Sequence, residues 1–64
     1  MVNVNLLKGE MAKNGYTQKS LADELGITAK TFSNKMRRKV FGTDEAQKMV
    51  EILKIENPIP IFFA

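Results

Sequence analysis

Residues 18–38 read QKSLADELGITAKTFSNKMRR, and the predicted architecture follows from them. The hydroxyl of Thr17 can cap a helix that starts just after it, and Gly26 supplies the positive φ at which such a helix ends. Thr28 is a second capping residue, so another helix can begin shortly after the glycine. The sequence therefore predicts two short helices that meet across a turn of a few residues.

The spacing of the apolar residues in this stretch defines a known motif. A helix-turn-helix needs apolar residues where its helices touch, a small residue where their backbones approach, and a turn residue that tolerates positive φ. All six positions are filled at the required relative spacing, and a basic helix follows, so we predict a helix-turn-helix over residues 18–38. The residues in these positions are Leu21, Ala22, Leu25, Gly26, Ile27 and Phe32.

Two further helices are predicted, one on each side of this stretch. The first runs from about residue 6 to residue 14, with Asn5 as its N-cap and Gly15 at its end. The fourth starts near Thr43, where two acids follow in the first turn and suit the helix dipole. Its apolar residues then repeat at i, i+3, i+4 and i+7 over residues 46–53, which is typical of an amphipathic helix.

Two prolines limit the apolar tail, residues 57–64, to an extended segment or a single helical turn. We therefore predict an all-α fold for residues 1–64, a single domain built as a compact bundle of four to five helices. The expected core consists of Leu7, Met11, Leu21, Ala22, Leu25, Ile27, Phe32, Met36, Phe41, Met49, Val50 and Leu53.

The composition argues against several classes of function. The chain has no Cys and no His, so disulfides and the usual ligands of a structural zinc site are absent. The carboxylates that remain lie side by side on short helices, where neighbours do not converge on one substrate, and no glycine-rich phosphate loop is present. We therefore expect that the protein is not an enzyme and that it binds neither a metal nor a cofactor. The absence of a long apolar run and of thiols favours a soluble, cytoplasmic protein.

The positive charge is concentrated in one segment. The net charge is only +3, yet residues 28–39 contain five basic residues and no acid. A localised basic patch indicates a polyanionic partner, and a solvated charged helix is the alternative interpretation. The five residues are Lys30, Lys35, Arg37, Arg38 and Lys39.

On these residues, about residues 6–53 resemble the lambda-repressor-like or Cro-type regulators of temperate phages and related bacteria. The tail resembles that of small Cro-like phage proteins, which place a loop before the fourth helix and end in residues such as Ile-Phe-Phe. The resemblance implies a sequence-specific transcriptional regulator or repressor in a bacterial host, associated with the nucleoid. It further implies a recognition helix over about 29–37 in the major groove of double-stranded DNA, and a homodimer on a near-palindromic operator.

The resemblance also implies roles for single residues. Gln18 matches a position that binds phosphate beside helix N-terminal N–H groups. Lys30 and Asn34 match base-reading positions, where Lys can donate to guanine and Asn can pair with adenine, while Ala29 can touch a thymine methyl group. Short donors that suit phosphate or base are Thr31 and Ser33. Ordinary solvent exposure is the alternative for each of these side chains.

One position departs from the family pattern, which places an apolar residue where this chain has Lys35 followed by Met36. The stem of Lys35 can cover the edge of the core while its ammonium group reaches solvent or phosphate. Arg37, Arg38 and Lys39 are expected at backbone phosphates, and the alternative is that they stabilise the C-terminus of the helix. Which of Asn34, Lys35 and Arg37 meets a base edge is open at this point.

The tail supports a further prediction. It is larger than so small a domain readily buries, so we expect part of it to dock on the bundle and part to form a two-fold dimer contact, through Ile61, Phe62 and Phe63. Complete docking within one monomer is the alternative. A rival function also uses this tail: a protein-interaction modulator or antitoxin-like partner of another phage regulator.

Overall fold

The computed structural model describes residues 1–63, which contain five α-helices. This confirms the all-α prediction, and no strand occurs in these residues. Helix α2 packs mainly against α3 and also against α4, while α1 contacts α5. None of the helices is long and apolar enough to cross a membrane, as judged over the same residues. The helices are α1 (Val4–Lys13), α2 (Gln18–Leu25), α3 (Ala29–Arg38), α4 (Thr43–Ile52) and α5 (Ile59–Phe62).

The predicted boundaries of α2 and α3 are confirmed by their capping hydrogen bonds. The hydroxyl oxygen of Thr17 accepts from the N–H of Ser20 at 3.1 Å, and the Ser20 hydroxyl accepts from the N–H of Thr17 at 2.9 Å. Gly26 ends α2 with a φ of +75°. Thr28 Oγ1 then accepts from the N–H of Thr31 at 3.1 Å and starts α3. Local capping chemistry thus fixes the connection between the two helices.

The predicted start of α1 is wrong by two residues. Asn3, and not Asn5, caps this helix, and its Oδ1 accepts from the N–H of Leu6 at 3.1 Å. The reason lies in contacts distant in sequence, because the N–H of Val2 donates to the carbonyl of Lys39 at 3.0 Å and that of Asn3 to the carbonyl of Ile61 at 2.6 Å. These two bonds hold the N-terminus against the ends of α3 and α5, so the helix starts earlier.

The core largely follows the prediction, with corrections at its edge. Phe32 is fully buried and lies at the centre, and its ring centroid is 5.4 Å from that of the half-buried Phe41. Ile27 and Val50 are likewise only partly buried. Four buried residues lie outside the predicted core: Val2 and Ile55, which fall outside the periodic helical pattern, and Ile61 and Phe62 of the tail, which we expected to dock only in part. The predicted residues that are buried are Leu7, Met11, Leu21, Ala22, Leu25, Phe32, Met36, Met49 and Leu53.

The proline-containing tail folds into a single helical turn, the four-residue α5, within the predicted limit. The carbonyl of Pro58 accepts from the N–H groups of Ile61 and Phe62 at 3.1 and 2.9 Å. Both of these side chains are buried, whereas Phe63 is 70% exposed. Ala64 lies outside the described residues.

Candidate nucleic-acid interface

Helix α3 has one apolar and one polar face. Phe32 and Met36, four residues apart, lie on the same side of the helix and are buried. The remaining side chains at the surface are polar or basic, apart from Ala29 in the first turn. The exposed residues of α3 and its C-cap are Ala29, Lys30, Thr31, Ser33, Arg37, Arg38 and Lys39, and Asn34 is half-buried.

Lys35 does not belong to this exposed set. Its Nζ donates to both carboxylate oxygens of Glu45 at 2.8 Å, and the side chains are 34% and 17% exposed. The ion pair joins α3 to the first turn of α4, where Glu45 also accepts from the N–H of Gly42 at 2.8 Å. A charged partner on α4 thus accommodates Lys35 at a position where the regulators that this sequence resembles have an apolar residue. Lys35 therefore lies between α3 and α4, where it is paired with Glu45.

The surroundings of Glu45 favour its charged form. Burial acts to raise the pKa of this carboxyl, but hydrogen bonds from Lys35 and from the Gly42 N–H, together with the charges of Lys35 and Lys48, lower the pKa by more than burial raises it. The net effect is a pKa below the ordinary value. Glu45 is therefore ionised at neutral pH and neutralises the charge of Lys35.

The other cations of the segment carry no such partner. Among residues 1–63, no second acidic side chain comes within ion-pairing distance of a lysine or arginine. The exposed face of α3 and its C-cap therefore presents four uncompensated positive charges: Lys30, Arg37, Arg38 and Lys39.

Asn34 and Arg37 form a pair on this face. Nη2 of Arg37 donates to Oδ1 of Asn34 at 3.2 Å. Pairing of Asn34 with adenine uses the same oxygen as an acceptor, and the second lone pair of this oxygen serves that contact while Arg37 occupies the first. With the bond in place, the two side chains and Lys30 present hydrogen-bond donors, which match the acceptors of guanine and of phosphate. Of the three residues left open by the sequence, Arg37 is exposed, Asn34 is half-buried and Lys35 is paired with Glu45.

The predicted residues in the first turn of α3 have different environments. Ala29 and Lys30 are exposed. The hydroxyl of Thr31 accepts from the hydroxyl of Thr28 at 2.9 Å, so it belongs to the capping arrangement as well as to the surface.

A groove beside α3 brings together residues from three helices. Gln18 at the start of α2 and Ser33 and Arg37 of α3 line it, as predicted site residues. The opposite wall comes from α1, which the sequence assigned only to the core, and contributes Asn5 and Lys8. Asn5 was assigned as a cap and is released from that role by Asn3. An early signal for Lys8 was available, because it lies outside the i, i+4 pair of Leu7 and Met11 that forms the buried stripe of α1.

The tail is placed mainly inside the monomer. Ile61 and Phe62 are only 4% and 8% exposed, so these two predicted interface residues belong to the bundle core and are covered within one chain. Phe63 remains at the surface, where it borders an apolar groove lined by α4 and the preceding loop, including Phe41, Ala46 and Val50.

Comparisons of this chain with family models, with curated proteins and with solved structures found no match.

Proposed function

We propose that this protein is a sequence-specific regulator that binds double-stranded DNA through a helix-turn-helix formed by α2 and α3. The observation that carries the proposal is the exposed face of α3 and its C-cap, which presents four positive charges without an acidic partner among residues 1–63. A surface of this kind attracts a polyanion. On the basis of the resemblance to Cro-type repressors, we further propose that the protein controls transcription in the cytoplasm of a bacterial host.

The dimensions of α3 suit the major groove. Its ten residues correspond to a length of about 15 Å, and the groove of B-DNA admits an α-helix. Its buried face is held by α2 across a connection that capping residues define, so the exposed face is presented rigidly. In this arrangement Lys30 and Asn34 face base edges, and Arg38 faces backbone phosphate.

The remaining predicted contacts are compatible with the same docking. Ala29, in the first turn of α3, offers a methyl group to thymine, and the hydroxyls of Thr31 and Ser33 offer short donors. Gln18 begins α2, where its amide and the free N–H groups of the first turn suit a phosphate. Lys35 is assigned to the ion pair with Glu45 instead of to DNA.

The test is a selection of bound sequences from a random duplex pool, followed by affinity measurements on the selected site over a range of salt concentrations. We expect one enriched motif and a steep loss of affinity with salt, with a slope of about −0.9 for each phosphate neutralised. Recovery of no motif, together with a slope near zero, would contradict the proposal.

A second candidate function rests on the apolar groove beside Phe63. This groove is lined by Phe41, Ala46 and Val50, and the exposed phenyl ring adds to its apolar surface. Such a surface suits another protein chain, as in a modulator or antitoxin-like partner of a regulator. Binding there is insensitive to salt, because apolar burial carries no counterion release, so the same salt series separates the two functions.

A further inference from the structure

The groove between α1 and α3 combines positive charge with neutral donors. Lys8, Arg37 and Lys39 line it from two sides, and no acidic side chain lines it. Ser33, Gln18 and Asn5 add a hydroxyl and two amide groups. A group of cations and neutral hydrogen-bond donors with no carboxylate among them suits a small anion, and a phosphate group accepts hydrogen bonds from all of these side chains.

Lys39 is held in this groove in an unfavourable backbone conformation. Its φ of +59° lies in the left-handed region, where glycine is the usual residue at a helix C-terminus. Backbone hydrogen bonds on both sides hold this conformation. The N–H of Lys39 donates to the carbonyls of Lys35 and Met36, and the carbonyl of Lys39 accepts from the N–H of Val2 at 3.0 Å. At the end of α2, the equivalent left-handed position is occupied by Gly26, which adopts this conformation without strain. At the end of α3, a lysine occupies it instead.

The charge of a helix dipole offers a competing reason for a lysine at this position, since cations stabilise helix C-termini. The end of α4 provides the comparison, because Lys54 follows that helix with a nearly identical φ of +53°. Lys54 lines a different surface, together with Glu10 and Glu56. Of these two lysines, Lys39 alone lies with two other cations, Lys8 and Arg37, in a groove that no acidic side chain lines.

We propose that this groove is a clamp for one backbone phosphodiester of duplex DNA, with α1 as its second wall. The clamp rests on the proposed DNA-binding function and deepens it. Arg37 belongs to both regions, because it lines the groove and donates to Asn34 on the outer face of α3. A phosphate held between α1 and α3 would fix the roll of α3 in the major groove, so that Lys30 and Asn34 meet defined bases.

The decisive variants are Lys39→Gly and Lys8→Ala, with Lys54→Gly and Lys13→Ala as their matched controls. Each control removes the same charge, and Lys54→Gly relaxes the same backbone conformation as Lys39→Gly. Neither control residue lines the groove. Glycine at either position relieves a left-handed φ, so thermal unfolding midpoints of both glycine variants should equal or exceed that of the unaltered protein.

On the selected duplex, Lys39→Gly and Lys8→Ala should each raise the dissociation constant roughly tenfold and lower the salt slope by about 0.9 per protein copy. The controls should stay within about twofold of the unaltered protein. Equal effects of Lys39→Gly and Lys54→Gly, and of Lys8→Ala and Lys13→Ala, would overturn the clamp while leaving DNA binding intact. Failure of the unaltered protein to bind any duplex would instead overturn the proposed function.

Inorganic phosphate tests the source of the anion. Against the unaltered protein, we expect it to compete with the duplex only at millimolar concentration or above, because a single anion lacks the neighbouring contacts of a polymer. Saturation of the groove by micromolar inorganic phosphate, followed through the amide resonances of Ser33 and Lys39, would overturn the assignment to a DNA phosphodiester in favour of a free phosphate ligand.

Discussion

At the scale of single residues, Phe32 determines the position of α3. Its side chain is fully buried and packs beside the ring of Phe41, while the residues on either side of it in sequence are exposed. Replacement of Phe32 by Ala should lower the free energy of unfolding by about 3–5 kcal/mol. That is comparable to the whole stability of a small protein, so urea denaturation should show a largely unfolded variant.

The matched control is Phe63→Ala, the same chemical change at a side chain that is 70% exposed. Its free energy of unfolding should differ from that of the unaltered protein by less than about 0.5 kcal/mol. Comparable losses in the two variants would contradict the described core.

The Lys35–Glu45 pair makes stability depend on pH with a defined sign. The pKa of Glu45 is lowered in the folded chain, so its contribution is fully present above the ordinary value of 4.5 and is lost as pH falls through the folded pKa below it. Glu45→Gln should remove this part of the acid sensitivity and cost about 1 kcal/mol or less at neutral pH. Denaturation from pH 3 to pH 7 measures both quantities.

Glu51→Gln is the control for this series, because Glu51 is exposed on the same helix and has no ion-pair partner among residues 1–63. It should reproduce the pH profile of the unaltered protein. A Glu45→Gln profile parallel to that of the unaltered protein would show that the pair contributes nothing.

The sequence predicted single residues well where their role is local. Thr17, Gly26 and Thr28 act within three or four residues, and each occupies its predicted place. Lys35 and Asn3 could not be assigned in this way, because the partner of Lys35 lies on another helix and the start of α1 depends on the carbonyls of Lys39 and Ile61. Such contacts arise only once the helices have packed.

At the scale of the element, the two ends of α3 should contribute differently to DNA binding. Lys30→Ala should reduce affinity for the selected site by roughly 1–3 kcal/mol and relax the preference at one base pair, because a base contact carries sequence information. Arg38→Ala should weaken binding to selected and unrelated duplexes alike, since a phosphate contact carries none. Competition binding with single-base variants of the site measures the difference, and indistinguishable profiles of the two variants would contradict these roles.

The elements themselves were predictable to different degrees. Helix α4 follows from its apolar periodicity, and α5 from the limits that two prolines impose. The groove between α1 and α3 was not predictable, because Lys8 and Ser33 are far apart in sequence and meet only through the packing of three helices. The basic residues of α3 itself were visible in the sequence as a charge run.

At the scale of the whole molecule, one domain of this size reads too few base pairs for tight specific binding, so we expect two copies on one operator. With Ile61 and Phe62 buried, the contact between copies falls to Phe63 and the apolar groove beside it. Phe63→Ala should leave the chain folded and reduce the share of duplex that sediments with two copies bound. Leu6→Ala, at another partly exposed apolar side chain, should not. Unchanged two-copy binding by Phe63→Ala would exclude the tail from the dimer.

Amide chemical-shift mapping with the selected duplex can check the proposal that the exposed face of α3 binds duplex DNA. If it does, the largest changes should occur over residues 29–39, with a second group at the groove residues Asn5, Lys8 and Gln18. The exposed side of α4 around residues 44–51 should change little. Unmoved α3 amides at saturating duplex, with changes confined to the groove beside Phe63, would contradict it.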